Sequence, residues 1–246
     1  MKWSTKYLLK FNPQKCKLMC IGHSDSTHTE YYLEEETGKH KVQETTEERD
    51  LGVMVMSNLH SRKQCSKAAA KARSVLGMVR RNFRRLDEED FLLIYKTYIR
   101  PHLEYCVQAW SPHLAVDIQC LEKVQRAATK IVPGLKKLKY GDRLKRLGLT
   151  METRRKRGDL IETYKILSEK ENIASHKFFE LSDKAYNLRG HSMKLTVKRS
   201  RLNIRKFFFS QRVVPHWNSL PERVVTAPST NAFKNRLDEH WNDMGN

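Results

Sequence analysis

The chain has 246 residues, of which 39% are hydrophobic and 30% charged, enough for one large domain or two to three small ones. Its 47 Lys+Arg against 28 Asp+Glu give a formal net charge of +19, and such a chain repels itself unless an anionic partner relieves it. Nucleic acid is the leading partner class; no apolar run approaches the ~18 residues of a spanning helix, so a membrane partner is not expected.

The opening "MKWSTKYLLKF" lacks the apolar core of a signal peptide, and the five scattered cysteines suit reduced thiols. Both point to an intracellular protein, with nucleus or cytoplasm left open. A short helix is expected over 3–10. Asn12-Pro13 then marks a turn, and residues 15–21 alternate like a strand, with Cys16, Leu18 and Cys20 on one face. Cys16, Cys20, His23 and His28 have zinc-ligand chemistry, but the loop between the pairs is too short for a finger, so no metal is expected. After a polar, acidic stretch, "LGVMVM" at 51–56 reads as a further strand.

From Leu59 the period becomes helical. Ala69, Ala72, Leu76, Val79 and Phe83 form an apolar seam. Lys63, Lys67 and Lys71 recur at four on another face, and between Leu59 and Arg85 there are nine basic residues and no acidic one. A solvated face normally mixes both signs, so a one-signed face favours phosphate contact. The residues singled out for nucleic-acid binding are Lys63, Lys67, Lys71, Arg80, Arg81, Arg84 and Arg85, joined by Lys123, Arg126 and Lys130 of a later helix.

"DEED" at 87–90 is expected to open the next helix. Asp87 is its cap, and acids in the first turn suit the helix dipole, so these carboxylates are not read as a metal site. Phe91, Leu92, Tyr95, Tyr98 and Ile99 are its buried face, and Pro101 is expected to kink or restart it. A third helix over about 114–132 carries Ile118, Leu121, Gln125, Ala128 and Ile131 or Val132 as its seam. Three amphipathic helices with short joints make a small bundle.

Residues 136–169 are again basic and helical. Arg157-Gly158-Asp159 matches an integrin-binding tripeptide, which requires an exposed loop rather than the helix start expected here. "TRRKR" has the composition of a nuclear import signal. From Lys184 to Pro221 no acid occurs, and basic residues interleaved with aromatics suit unpaired nucleic acid. Within it "RGHSMKLTVKRSRLNIRKFFF" is expected to be strand or extended chain, with core positions for two of Phe207, Phe208 and Phe209, and "SQRVVPHWNSLP" a short helix and a turn. A last amphipathic helix, capped at Ser229 or Thr230, carries Phe233, Leu237 and Trp241 on one side.

No phosphate-binding glycine motif and no assignable catalytic triad is present. By residues alone the chain is a basic, mostly helical nucleic-acid binder. Several stretches together go further: "FNPQKCKLMCIG", "RDLGV", "LLIYKTYIRPHLEYCVQAWSP", "DIQCLEKVQRAATKIVPGLKKLKYGDRLKRLGL", "TRRKRGDLIETYKIL", "LRGHSMKL" and "FFFSQRVVPHWNSLPERVV". In this order they resemble the C-terminal part of jockey-like non-LTR retrotransposon reverse transcriptases, over nearly the whole chain.

The resemblance implies a mainly α protein. A palm remnant with a primer-grip-like hairpin would occupy 1–56, a thumb-like three-helix bundle 57–133, and a basic helical C-terminal region with short strands 134–246. It implies that Lys15, or alternatively Lys17, is the lysine proposed to protonate the leaving pyrophosphate, and that Leu51, Gly52 and Val53 belong to the primer grip. The family's paired aspartates would lie before Met1, and "LGLTMETRR" is one residue shorter than the family's pattern, as in a decayed copy. The Mg ions of the full enzyme then have no ligands here, and no cofactor is expected. The expectation is a truncated reverse-transcriptase-like protein, inactive alone, that binds RNA or DNA in a primer–template-like duplex and takes no small-molecule substrate. A basic module reused by a host, or a non-functional product of repeat DNA, are the alternatives.

Overall fold

The computed structural model describes residues 6–9, 11–22, 29–35, 38–182 and 190–245. It is mainly helical, with three separate two-stranded sheets near its N-terminal end. Of the helix expected over 3–10, residues 3–5 and 10 lie outside the described residues, as do His23 and His28, and Leu8 is left-handed at φ 54°, which ends any helix there.

Asn12 leads into a 3-10 turn, Pro13–Lys15, closed by the Cys16 N–H on the Pro13 carbonyl at 3.1 Å. Only β1 (Lys17–Leu18) of the strand expected over 15–21 forms. The acidic stretch supplies β2 (Tyr32–Glu35), β3 (Gly38–Lys41) and β4 (Gln43–Glu44); β2 and β3 pair antiparallel, and β1 runs parallel to β4. β5 (Glu47–Asp50) and β6 (Val53–Met56) form a hairpin around Leu51 and Gly52, with φ of 43° and 90°. Two left-handed centre residues match the right-handed twist of a two-residue hairpin. Among the described residues before 57, Val53 alone is buried, so this part is thin and leans on the helices.

α1 (Arg62–Asn82) buries Cys65, Ala68, Ala69, Ala72, Val75, Leu76 and Val79, spaced three and four apart. Phe83, expected to extend this seam, instead takes extended backbone at the C-cap and is 47% exposed. Asp87 caps α2 (Glu88–Ile94), its Oδ1 accepting the Asp90 N–H at 2.8 Å. A π turn (Tyr95–Ile99) follows, then α3 (Arg100–Glu104) with Pro101 in its first turn. Proline has no N–H to give and its ring crowds the carbonyl four residues back; the wider turn relieves both without breaking the rod. Its buried side chains, Phe91, Tyr95, Ile99 and Leu103, are all four apart, which suits this widened helix, and Tyr98 is left 60% exposed instead of buried.

Cys106, left-handed at φ 51°, ends the rod, and α4 (Val107–Trp110) leads on to α5 (Ala115–Ala128). α5 lies against α1 through Leu121, Val124, Gln125 and Ala128, with Ile118 only half-buried. The α1, α2–α3 and α5 segments form the expected helical bundle, but its core does not stop at residue 133. Leu135, Leu147 at the end of α6 (Tyr140–Leu147), Leu149 and Met151 all join it. The passage to a second core comes inside α7 (Met151–Leu167), whose Leu160, Tyr164 and Ile166 belong to that second core.

The second core is built from α7, α9 (Phe209–Arg212), α10 (Val214–Asn218), α11 (Glu222–Val225) and α12 (Thr230–Gly245), with α8 (Asn203–Lys206) outside it. Tyr164 stacks on Phe233 at 4.5 Å and donates to the Ala227 carbonyl at 2.6 Å. Ser229 caps α12 through the Ala232 N–H, and Phe233 and Leu237 are buried. Of the stretch expected to be strand or extended chain, residues 190–202 hold no helix and one bridge, Leu195 to Leu181, and α8 then begins at Asn203; α9 and α10 stand where a short helix was expected. The Asn218 side chain supplies what a strand neighbour would, bonding both the N–H and the carbonyl of Leu195 at 2.8 Å. Of the three phenylalanines only Phe209 is fully buried; Phe207 is half-buried and Phe208 42% exposed.

Candidate nucleic-acid interface

α1 determines the site. It is about 31 Å long at 1.5 Å per residue. Lys63, Lys67 and Lys71 step along one line of its exposed face, and Arg81, five full turns after Lys63, returns to that line. Arg62, Arg73 and Arg80, three and then about two turns apart, form a second line. Every one of these seven side chains is exposed.

Neighbouring elements fix both ends of this face. Lys63 pairs with Glu47 of β5, and the Lys67 ammonium lies 3.3 Å from the Met54 sulfur of β6, so the first two lysines overlie the hairpin. Arg62 lies 3.7 Å from the buried Asp117 near the start of α5. Arg80 donates to the Ala127 carbonyl at 3.0 Å, a cation at a helix C-terminus, where carbonyls lack intrahelical partners. That bond places Arg80 beside Arg126 and Lys130, while Lys123 lies one turn before Arg126 on α5. Arg126 lies over the Tyr140 ring at 4.5 Å, and Arg84 and Arg85 continue the exposed basic run past the end of α1. The ten basic residues singled out from sequence thus lie on α1, the turn after it, α5, and the turn after α5. Arg62 and Arg73 complete the face and were not singled out; their spacing of eleven, three helical turns, was the signal.

The β5–β6 hairpin projects beside this face. Leu51 is 87% exposed at its tip, although a left-handed leucine is unfavourable. The Leu51 carbonyl accepts the Tyr105 hydroxyl at 3.0 Å, and a Cβ on Gly52 would meet the Tyr105 ring at 3.3 Å. Behind the tip Val53 enters the core, and the Met54 N–H donates to Gln64 of α1 at 2.9 Å. The tip is therefore held rigidly from two helices; Tyr105 and Gln64 were not legible as its supports. Lys15 is exposed in the 3-10 turn, away from any ring of carboxylates: among the described residues no group of three or more His, Cys, Asp or Glu could hold a metal ion.

The C-terminal region uses its arginines differently. Arg154 forks onto Glu104 at 2.8 and 3.2 Å, Arg157 onto Asp238 at 2.7 and 2.7 Å, and Arg212 onto Asp159 at 2.9 and 2.9 Å. Burial pushes the Asp159 carboxyl above its ordinary value, and Arg212 pulls it back. Arg143 is buried between Thr129 and the Leu138 carbonyl. The Arg157-Gly158-Asp159 tripeptide lies within α7 with both charged ends locked in ion pairs, which removes the integrin reading.

Among the described residues no helix is long and apolar enough to cross a membrane. Comparison with family models, curated proteins and solved structures found no match to this chain.

Proposed function

We propose that this chain binds a nucleic-acid duplex of RNA or DNA through the α1–α5 face, in the manner of a reverse-transcriptase thumb, and that it binds without catalysing nucleotide transfer. The observation that carries the reading is the one-signed helix: α1 exposes seven cations and no anion over its whole length. Regularly spaced cations along a rigid rod suit the regularly spaced phosphates of a duplex and read backbone and shape rather than base sequence. The ordered series of motifs described above favours a retrotransposon origin. In that reading the Leu51–Val53 hairpin lies against the primer end, beside Lys63 and Lys67. Lys15 then has a position resembling a proton donor, but the reaction also needs carboxylates that hold two metal ions.

The test is binding of a blunt RNA–DNA duplex at several salt concentrations. With about six phosphates neutralised, affinity should fall roughly 10³-fold between 50 and 200 mM salt. Changing Lys67, Lys71 and Arg81 together to Glu should abolish most of the binding while helix content stays constant. Binding that ignores salt, or survives the triple change, overturns the reading. A primed RNA template with Mg ions and nucleotides should show no extension, and extension would overturn the non-catalytic part.

A further inference from the structure

The two cores leave a cleft between them. It encloses about 650 Å³ and is bounded by the loop before α5, one face of α7, and the segment from Val197 to His216. That volume suits a small organic ligand.

Arg155 of α7 lines this cleft. It is 8% exposed, yet its one close contact is the Met151 sulfur at 3.9 Å. Every carboxylate near it already has a partner. Glu104 is taken by Arg154, Glu122 accepts the Tyr140 hydroxyl, Glu152 pairs with Lys156 at 2.8 Å, and Asp159 is held by Arg212. A buried guanidinium is normally paired, and its planar fork matches phosphate or carboxylate. Burial depresses its pKa, although the nearby Glu122, Glu104 and Glu152 favour the charged form.

On another wall of the cleft Phe207 stacks on His113, with centroids 4.5 Å apart and planes 7° from parallel. Lys206, with its ammonium 5.7 Å from the Phe207 ring centre, is exposed, as is Lys198. A buried guanidinium without a bonded carboxylate, a flat aromatic wall and lysines at the edge together describe a ligand with an anionic group and a planar ring.

We propose that this cleft takes one unpaired nucleotide, its phosphate on Arg155 and its base against the Phe207–His113 stack. Base–aromatic stacking tolerates any base, so the site carries little sequence preference. The nucleotide has two sources, a free mononucleotide or an unpaired residue of a single strand. This site is separate from the α1 face and stands without it.

The experiment uses the full chain with AMP, inorganic phosphate and a short oligo-deoxythymidine as separate titrants. Arg155→Met keeps volume and removes the charge; Phe207→Leu removes the aromatic wall. Weakening of AMP by at least ten-fold in Arg155→Met, and by several-fold in Phe207→Leu, supports a free-nucleotide site. The same losses seen only with the oligonucleotide support a single-strand site. If phosphate alone binds and Phe207→Leu leaves AMP and the oligonucleotide unchanged, the base site is overturned. If Arg155→Met leaves both titrants unchanged, the whole proposal is overturned. Should Arg155→Met fail to fold, Arg155→Lys decides: it keeps charge but loses the fork, and unchanged affinity for both titrants overturns the proposal. Duplex binding should be indifferent to Arg155→Met, and AMP binding to the triple change on α1, so the two sites fail independently.

Discussion

The helical bundle and the C-terminal region are both rich in Lys and Arg, but they use these residues in opposite ways. In the bundle the cations of α1 and α5 stand on the surface, and few of them meet a carboxylate. In the C-terminal region four arginines turn inward: Arg154, Arg157 and Arg212 fork onto Glu104, Asp238 and Asp159 and Arg143 bonds the Leu138 carbonyl, while Arg146, Arg199, Arg201, Arg205 and Arg223 stay exposed. The formal charge of +19 is therefore no measure of binding surface. What counts is whether an anion of the chain itself lies within reach.

The largest effect separating the two is on stability. Arg212→Ala leaves Asp159 buried without its partner and also removes bonds to the Gln108 and Phe207 carbonyls. Breaking one side of a buried pair costs about 3–5 kcal/mol. At roughly 2–4 °C per kcal/mol in a chain of this size, thermal unfolding should drop by about 6–20 °C. Arg81→Ala, on the open face, should stay within about 0.5 kcal/mol. Equal losses in the two variants would erase the distinction.

Next comes binding. Each phosphate contact contributes about 0.9 to the slope of log affinity against log salt, so replacing Lys67, Lys71 and Arg81 should flatten the slope by about 2.7. Arg154→Ala with Arg157→Ala removes cations from the C-terminal region instead. It should lower the melting temperature and leave that slope unchanged. Lys63 is better kept, because a glutamate there would face Glu47 and mix repulsion with lost contact.

This contrast was only half legible in the sequence. The run without acid around α1 is local, so its exposed face could be read from helical spacing alone. The partners of Arg157 and Arg212 lie 81 and 53 residues away, and no local period announces them. The acid-free stretch before Pro221 misled for the same reason. Alternation up to Phe209 suggested strands, but Leu195 makes a single bridge, is otherwise satisfied by the Asn218 side chain, and a helix begins at Asn203. Tyr98 was misplaced because the π turn at Tyr95–Ile99 shifts the helix phase, and Pro101 signalled a disturbance without giving its form.

A smaller effect tests the hairpin that borders the bundle face. Leu51 has a left-handed backbone and an exposed side chain, so its identity costs stability without filling the core. Leu51→Asn should raise stability by up to about 1 kcal/mol, since asparagine tolerates this conformation. Gly52→Ala should do the reverse, because φ is 90° and the added carbon meets Tyr105. If Leu51 contacts the duplex end, Leu51→Asn melts higher and binds more weakly. A variant that gains stability and keeps full affinity would remove the hairpin from the interface.

The smallest effect is a pH dependence seated in the C-terminal region. His191 is buried, its Nδ1 accepting the Met193 N–H at 3.2 Å and its Nε2 lying 3.0 Å from the Trp217 carbonyl. Only the neutral ring with its proton on Nε2 satisfies both; a proton on Nδ1 would face another donor. Burial holds its pKa below the ordinary 6.5, although the Trp217 carbonyl favours the charged form. Burial shifts His216 the same way. The unfolded chain then binds protons that the folded chain refuses, so stability is intact above the ordinary value and falls as pH drops through 6.5 toward the lower folded values. Protection of residues 191–225 against hydrogen exchange, measured relative to the intrinsic rate at each pH, should therefore fall between pH 7.5 and 5.5 before that of α1 does. His191→Gln should remove part of that response, and simultaneous loosening of both cores would show that acid acts on the chain as one cooperative unit.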